Sequence, residues 1–139
     1  MPVKASGPQI MPAAVLTVAA HAAVLLAHEI AHRRLGVDLR LWQTAFAYVV
    51  IVAGPVAGVV LARSRPRAGF ALLALAMAAA LLFTLYHHYV GVSPDNVAHL
   101  PPGDARPLFR WTSALLAPLE AAGAWVGWRG WMASRTLAS

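Results

Sequence analysis

Four long apolar segments, separated by short polar stretches, dominate this 139-residue chain. They occupy residues 10–33, 41–62, 69–90 and 108–131. Each exceeds the roughly 20 residues that a helix needs to cross about 30 Å of hydrocarbon. The apolar residues come in blocks, whereas a helix at a water-facing surface shows a stripe. The pattern predicts an all-α integral membrane protein, an antiparallel four-helix transmembrane bundle that forms a single membrane domain over residues 1–139.

Composition agrees with a membrane location and argues against nucleic-acid binding. The chain is 60% hydrophobic and 12% charged, against about 25% charged residues in a soluble protein. Its net charge of +6 comes from basic residues that lie between the apolar blocks, where they orient helices and contact lipid headgroups. No basic stripe is interleaved with exposed aromatics, as a nucleic-acid interface requires. The predicted partner is therefore the lipid bilayer.

The basic residues also predict an orientation. With both termini on one side, that side carries six basic residues and the other carries five. The arginine-rich turn at residues 63–67 favours the cytoplasm for the side that holds the termini. We expect a bacterial-type inner or plasma membrane with cytoplasmic termini.

Pairs of glycines four residues apart occur in two segments. They are Gly54 with Gly58, and Gly123 with Gly127. Such spacing lets helix backbones approach closely in lipid, although glycine is also simply common in membrane helices. These faces could serve homo-oligomerisation or assembly into a larger membrane complex.

Five of the six histidines fall toward one side of the membrane. Antiparallel helices bring the ends of the first and third segments together with the loop that follows the third. Imidazole suits zinc, copper and iron, and the chain has no cysteine to supply a thiolate. The sequence therefore predicts a transition-metal site at one membrane face, with one or both of His87 and His88, with either His99 or Asp95 as a ligand from the loop, and with Glu29 and Asp104 as groups that orient a ring. The candidate histidine ligands are His28, His32, His87, His88 and His99.

The segment His28-Glu29-Ile30-Ala31-His32 has the form HExxH. Two histidines one helical turn apart can hold one zinc ion, with the glutamate between them as general base. The motif resembles that of the membrane-embedded site-2 proteases, which implies His28 and His32 as ligands and Glu29 as the catalytic base. The family's third ligand lies in an Asn-Pro-Asp-Gly-like motif, which this chain lacks. A zinc metallopeptidase is one alternative function.

Two further alternatives stay open. Histidines on opposing helices can ligate a haem b, as in membrane cytochromes of the b type. The polar residues could instead be structural anchors in a non-catalytic subunit of a larger complex.

A separate polar pair is predicted near the membrane midplane. His21 and Glu120 both lie about 20 Å deep, at 1.5 Å per helical residue. Buried ionisable groups are costly in lipid and mark candidate functional sites, including proton relays. The pair could equally lock the first and fourth helices in register.

Overall fold

A computed structural model describes residues 9–135, which form four long helices and no strand. Their extents agree with the predicted segments to within a few residues at each end. The helices are α1 (Ile10–Leu35), α2 (Leu41–Ala62), α3 (Pro66–Val90) and α4 (Arg106–Arg135).

The local sequence explains where α1 ends and where α3 begins. Gly36 ends α1 in the left-handed conformation, with φ 62°. The N–H of Val37 donates to the carbonyl of His32 at 3.1 Å, which completes a Schellman cap. Pro66 opens α3 in its first turn, where no hydrogen bond from its nitrogen is needed.

Three of the four helices are long and apolar enough to cross a membrane: α1, α2 and α3. Large apolar side chains on their outer faces, such as Leu16, Leu75 and Leu82, are exposed. This supports a membrane protein with three spans. The fourth helix forms as predicted but does not meet the same apolar criterion, so a fourth span and a complete four-helix transmembrane bundle stay predictions.

The helices pack in an order that differs from their order in the chain. α3 lies between α2 and α4, and α1 packs mainly on α4. α1 meets α2 only near one end, where Ala14 and Val18 share a buried cluster with Val59 and Ala62. Toward the other end the two helices scarcely touch, and the space between them adjoins the predicted metal site.

Both glycine pairs face α3 inside the chain. A Cβ at position 58 would lie 2.8 Å from the backbone nitrogen of Leu73. One at position 127 would lie 2.5 Å from the backbone nitrogen of Ala74. Because these faces are already covered, a homo-oligomer would need another surface.

Replacing Gly127 by valine is therefore expected to destabilise the protein. The added side chain cannot fit against the α3 backbone, and overpacking of this kind costs about 1–3 kcal/mol. Unfolding in detergent, followed by circular dichroism, measures the loss. Ala122→Val, on the exposed face of the same helix, should change the free energy of unfolding by less than about 0.5 kcal/mol. Equal losses in the two variants would contradict the packing described.

Candidate metal centre

Four buried side chains meet at one end of the helices: His28, His32, His88 and Asp95. We call them the His/Asp cluster. The ring centroids of His28 and His32 are 4.7 Å apart, and those of His28 and His88 are 4.8 Å apart. Groups from α1, from α3 and from the loop after α3 thus form one site.

The α1 part of the cluster follows from helix geometry. Residues four apart lie on the same helical face, so His28 and His32 project together toward α4. There the ring of Phe109 packs against both imidazoles, at 4.5 and 4.9 Å between centroids. An aromatic wall of this kind restricts the rotamers of the two histidines.

A hydrogen-bonded turn holds Asp95 at the end of α3. The N–H of Asn96 donates to the carbonyl of Ser93 at 3.0 Å, with Pro94 at the turn position that favours proline. The Asn96 side chain donates to the carbonyl of Gly91 at 2.8 Å, which ties the turn to the helix end. Asp95 is therefore positioned by its neighbours in the loop.

Two of the imidazoles have their Nδ1 atoms beside backbone carbonyls. Nδ1 of His32 lies 3.2 Å from the carbonyl of Val37, and Nδ1 of His88 lies 2.9 Å from that of Asp95. A carbonyl only accepts, so each Nδ1 carries the hydrogen. In the neutral ring this leaves the Nε2 lone pair free to bind a metal.

His28 also carries its hydrogen on Nδ1, and here the hydrogen-bond partner is a side chain. Its Nδ1 lies 2.8 Å from the Thr112 hydroxyl oxygen, which in turn lies 2.7 Å from the carbonyl of Leu108. Because Thr112 donates to that carbonyl, it accepts from His28 Nδ1. Partners of this type orient metal-binding histidines and select their tautomer.

The free ligand atoms lie at metal-ligand spacing. Nε2 of His28 is 3.2 Å from Nε2 of His32, which is 3.0 Å from Oδ1 of Asp95. Two nitrogen ligands on a tetrahedral zinc ion lie about 3.3 Å apart. A ligand atom of His88 lies within 4.8 Å of those of His28 and Asp95. Two nitrogen lone pairs that face each other at this distance repel unless a proton or a metal ion lies between them.

A cation would also stabilise the buried carboxylate of Asp95. Both its oxygens are buried; Oδ1 lies at ion-pair distance, 3.0 Å, from His32 Nε2, and Oδ2 has no hydrogen-bond partner among the described residues. Burial raises the pKa of Asp95, but the hydrogen-bonding contact with His32, and the positive charge that the neighbouring imidazoles carry when they are protonated, lower it by more, so the pKa lies below its ordinary value. A buried, ionised carboxylate with one oxygen unpaired is costly. A bound metal ion would remove that cost.

A cavity of about 370 Å³ adjoins the cluster in the gap between α1 and α2. Its polar part is lined by the His/Asp cluster and by Glu29. Its apolar part includes Leu25, Ile51 and Phe83. Water or a small amphiphilic molecule could therefore approach the site from this side.

Two of the predicted histidine ligands lie outside the cluster. His87 is buried beside it, where the Gln43 side chain donates to its Nδ1 at 3.2 Å and the ring packs on Phe83. His99 is exposed in the loop, as is Asp104. Adjacent residues in a helix point about 100° apart, so only one of His87 and His88 can face α1.

The glutamate of the HExxH motif occupies a different environment from its two histidines. Glu29 is half-exposed, and its Oε1 accepts from Arg33 Nε at 2.8 Å. It nevertheless lines the same cavity as the cluster. The loop sequence around Asp95 does not match the family's third motif, yet the fold places Asp95 beside both motif histidines.

Sequence reasoning missed Thr112 and Phe109, which both contact His28. The sequence does contain one indication of Thr112, because this residue lies about two helical turns before Glu120 on the face that turns inward. The predicted midplane pair does make contact: His21 Nε2 lies 3.4 Å from Glu120 Oε1. Sequence reasoning did not anticipate Thr84, which donates to the same oxygen at 3.0 Å.

Comparisons with protein-family models, with curated proteins and with solved structures find no match to this chain. The functional argument therefore rests on the chemistry of the site.

Proposed function

We propose that this is a membrane protein that binds one zinc ion through His28, His32, His88 and Asp95. The observation that carries the proposal is the buried Asp95 carboxylate, which has one oxygen without a hydrogen-bond partner among the described residues and lies close to the imidazole nitrogens of the cluster. Zinc takes nitrogen and oxygen ligands in a tetrahedral set, and the spacing of the ligand atoms suits it. Copper and iron accept the same ligands and are distinguished by measurement.

Metal analysis of the detergent-purified wild-type protein tests the proposal. We expect about one zinc ion per chain, removed by a chelator and restored by added zinc. His99→Ala should leave this content unchanged, because that imidazole is exposed and outside the cluster. A wild-type protein that neither retains a metal nor takes up zinc, copper or iron would refute the proposal.

A second candidate is a zinc-dependent peptidase, favoured by the position of Glu29 in the wall of the same cavity. A general base must reach a water molecule at the metal, so Glu29 would have to turn away from Arg33. Glu29→Gln should then abolish peptidase activity while zinc content stays at one per chain. Asp38→Asn, also in the cavity wall, is the matched control. Activity that survives Glu29→Gln would exclude this role.

The geometry does not favour a haem. Two histidines that ligate one haem lie on opposite faces of a flat macrocycle, whereas the rings of His28 and His88 touch edge to face at 4.8 Å. A visible spectrum of the purified protein checks this, since a haem protein shows a Soret band.

For the orientation we propose cytoplasmic termini, supported by the exposed arginine turn between α2 and α3. The metal centre would then lie near the opposite membrane face. If the chain is a non-catalytic subunit, it should copurify with a partner and hold no metal.

A further inference from the structure

A second polar group is buried among the helices, apart from the His/Asp cluster. It consists of Glu120 of α4, His21 of α1 and Thr84 of α3, and we call it the Glu120 group. Oε1 of Glu120 accepts from the Thr84 hydroxyl at 3.0 Å and lies 3.4 Å from His21 Nε2. Oε2 is buried and has no hydrogen-bond partner in the described part of the chain. A fully buried carboxyl group thus has only one of its two oxygens engaged.

These contacts fit a neutral carboxylic acid better than a carboxylate. A charge-assisted bond from a protonated imidazole to a carboxylate measures about 2.7–2.9 Å, well below the 3.4 Å found here. An ionised Glu120 would also leave a charged oxygen buried without a partner. In the neutral acid, Oε1 is the carbonyl oxygen that accepts from Thr84 and His21, and Oε2 carries the proton.

Thr84 connects the Glu120 group to the cavity. Its hydroxyl donates to Glu120, and the residue also lines the cavity next to α1 and α2. Leu116, one turn before Glu120 in α4, lines the cavity too. Thr84 therefore lies between Glu120 and the cavity.

We propose that Glu120 is an exchangeable proton site, reached from the cavity through the Thr84 hydroxyl. For this transfer the carboxyl group turns so that its protonated oxygen faces Thr84 in place of the oxygen that now accepts from it. The carboxyl proton then passes to the Thr84 oxygen while the hydrogen of that hydroxyl passes to a water molecule in the cavity. The reverse transfer restores the acid, so no proton is gained or lost overall. The site could donate a proton to a molecule bound in the cavity or accept one from it. This proposal does not depend on a metal in the His/Asp cluster.

Infrared spectroscopy in water and then in deuterium oxide tests the proposal. A protonated carboxylic acid has a C=O stretching band that the ionised form lacks, and deuteration shifts it. The chain holds only two glutamates, Glu29 and Glu120, so carbon-13 labelling of glutamate restricts the assignment to these two. Glu29→Gln should keep the band and Glu120→Gln should remove it. A wild-type spectrum without a glutamic acid band would overturn the proposal.

The proposed proton route through Thr84 is tested with two threonine variants, which leave Glu120 unchanged. Thr84→Val keeps the side-chain shape but removes the hydroxyl, so deuterium exchange of the band should slow by about tenfold or more. Thr44→Val is the matched control, because Thr44 also lines the cavity but bonds to the carbonyl of Arg40. Exchange in Thr84→Val as fast as in Thr44→Val and the wild type would refute the route. Zinc content, measured on the same samples, reports separately on the metal centre.

Discussion

A variant with both His28→Ala and His32→Ala is expected to fold and to retain no zinc. The double change removes the two nitrogens that lie 3.2 Å apart and leaves only His88 and Asp95. Loss of a single outer hydrogen-bond partner already weakens metal binding by about 10–100-fold. Loss of two direct ligands should exceed that and reduce the metal content of the purified protein to background.

Metal content per chain and the dissociation constant for zinc are the quantities to measure. Circular dichroism and gel filtration in detergent show whether the double variant is folded. His99→Ala, measured in parallel, controls for zinc bound non-specifically by exposed imidazole. A folded double variant that still holds one zinc ion per chain would show that the metal lies elsewhere.

Asp95→Asn is expected to weaken zinc binding by more than about 100-fold while leaving the loop in place. Asparagine keeps the shape of the side chain but removes its negative charge, the only one in the cluster. The backbone carbonyl of residue 95 would still accept from His88, so that ring keeps its tautomer. The expected loss exceeds the effect of an outer partner because Asp95 contacts the metal directly in this proposal.

The apo protein provides an independent check on the same variant. Without metal, Asp95→Asn removes the carboxylate that lies 3.0 Å from His32 Nε2 and whose pKa is lowered in the folded protein, so the apo variant should be somewhat less stable than the apo wild type at neutral pH. The free energy of unfolding of the wild type and of Asp95→Asn is compared in detergent with excess chelator. Unchanged zinc affinity together with lower apo stability would indicate that Asp95 has a structural role instead of a ligand role.

The order in which the helices pack leaves the His/Asp cluster accessible from the cavity. Because α1 packs on α4 and not along α2, the wall between α1 and α2 stays open beside the His/Asp cluster. The turns from 47 to 53 in α2 are π-helical and contribute Tyr48 and Ile51 to the cavity wall. Such wider turns are often found at functional sites.

Much of the helical framework could be predicted from the sequence. Long apolar blocks define helices wherever they occur, and Gly36 and Pro66 end and begin helices through their own backbone preferences. The prediction that His28 and His32 share one face also needed only the helical repeat. These features depend on residues close together in the chain.

The composition of the metal centre depended on the tertiary structure. The sequence could not choose between His87 and His88, because the choice depends on how α3 is rotated against α1. Nor could it show that His99 stays exposed while Asp95, in the same loop, is buried over α1. That outcome depends on hydrogen bonds within the loop and on the apolar contacts of its neighbours.

By itself, then, the sequence determined that the chain forms long apolar helices and that one helix carries an HExxH motif among histidines gathered at one end. Only the tertiary structure decided that Asp95 joins His28, His32 and His88, that Thr112 orients one ring, and that a cavity opens between α1 and α2. The physical reason is that helix formation follows from hydrogen bonds and side-chain periodicity over a few turns. Contacts between helices depend on their packing order and rotation, which are decided by all of their surfaces together.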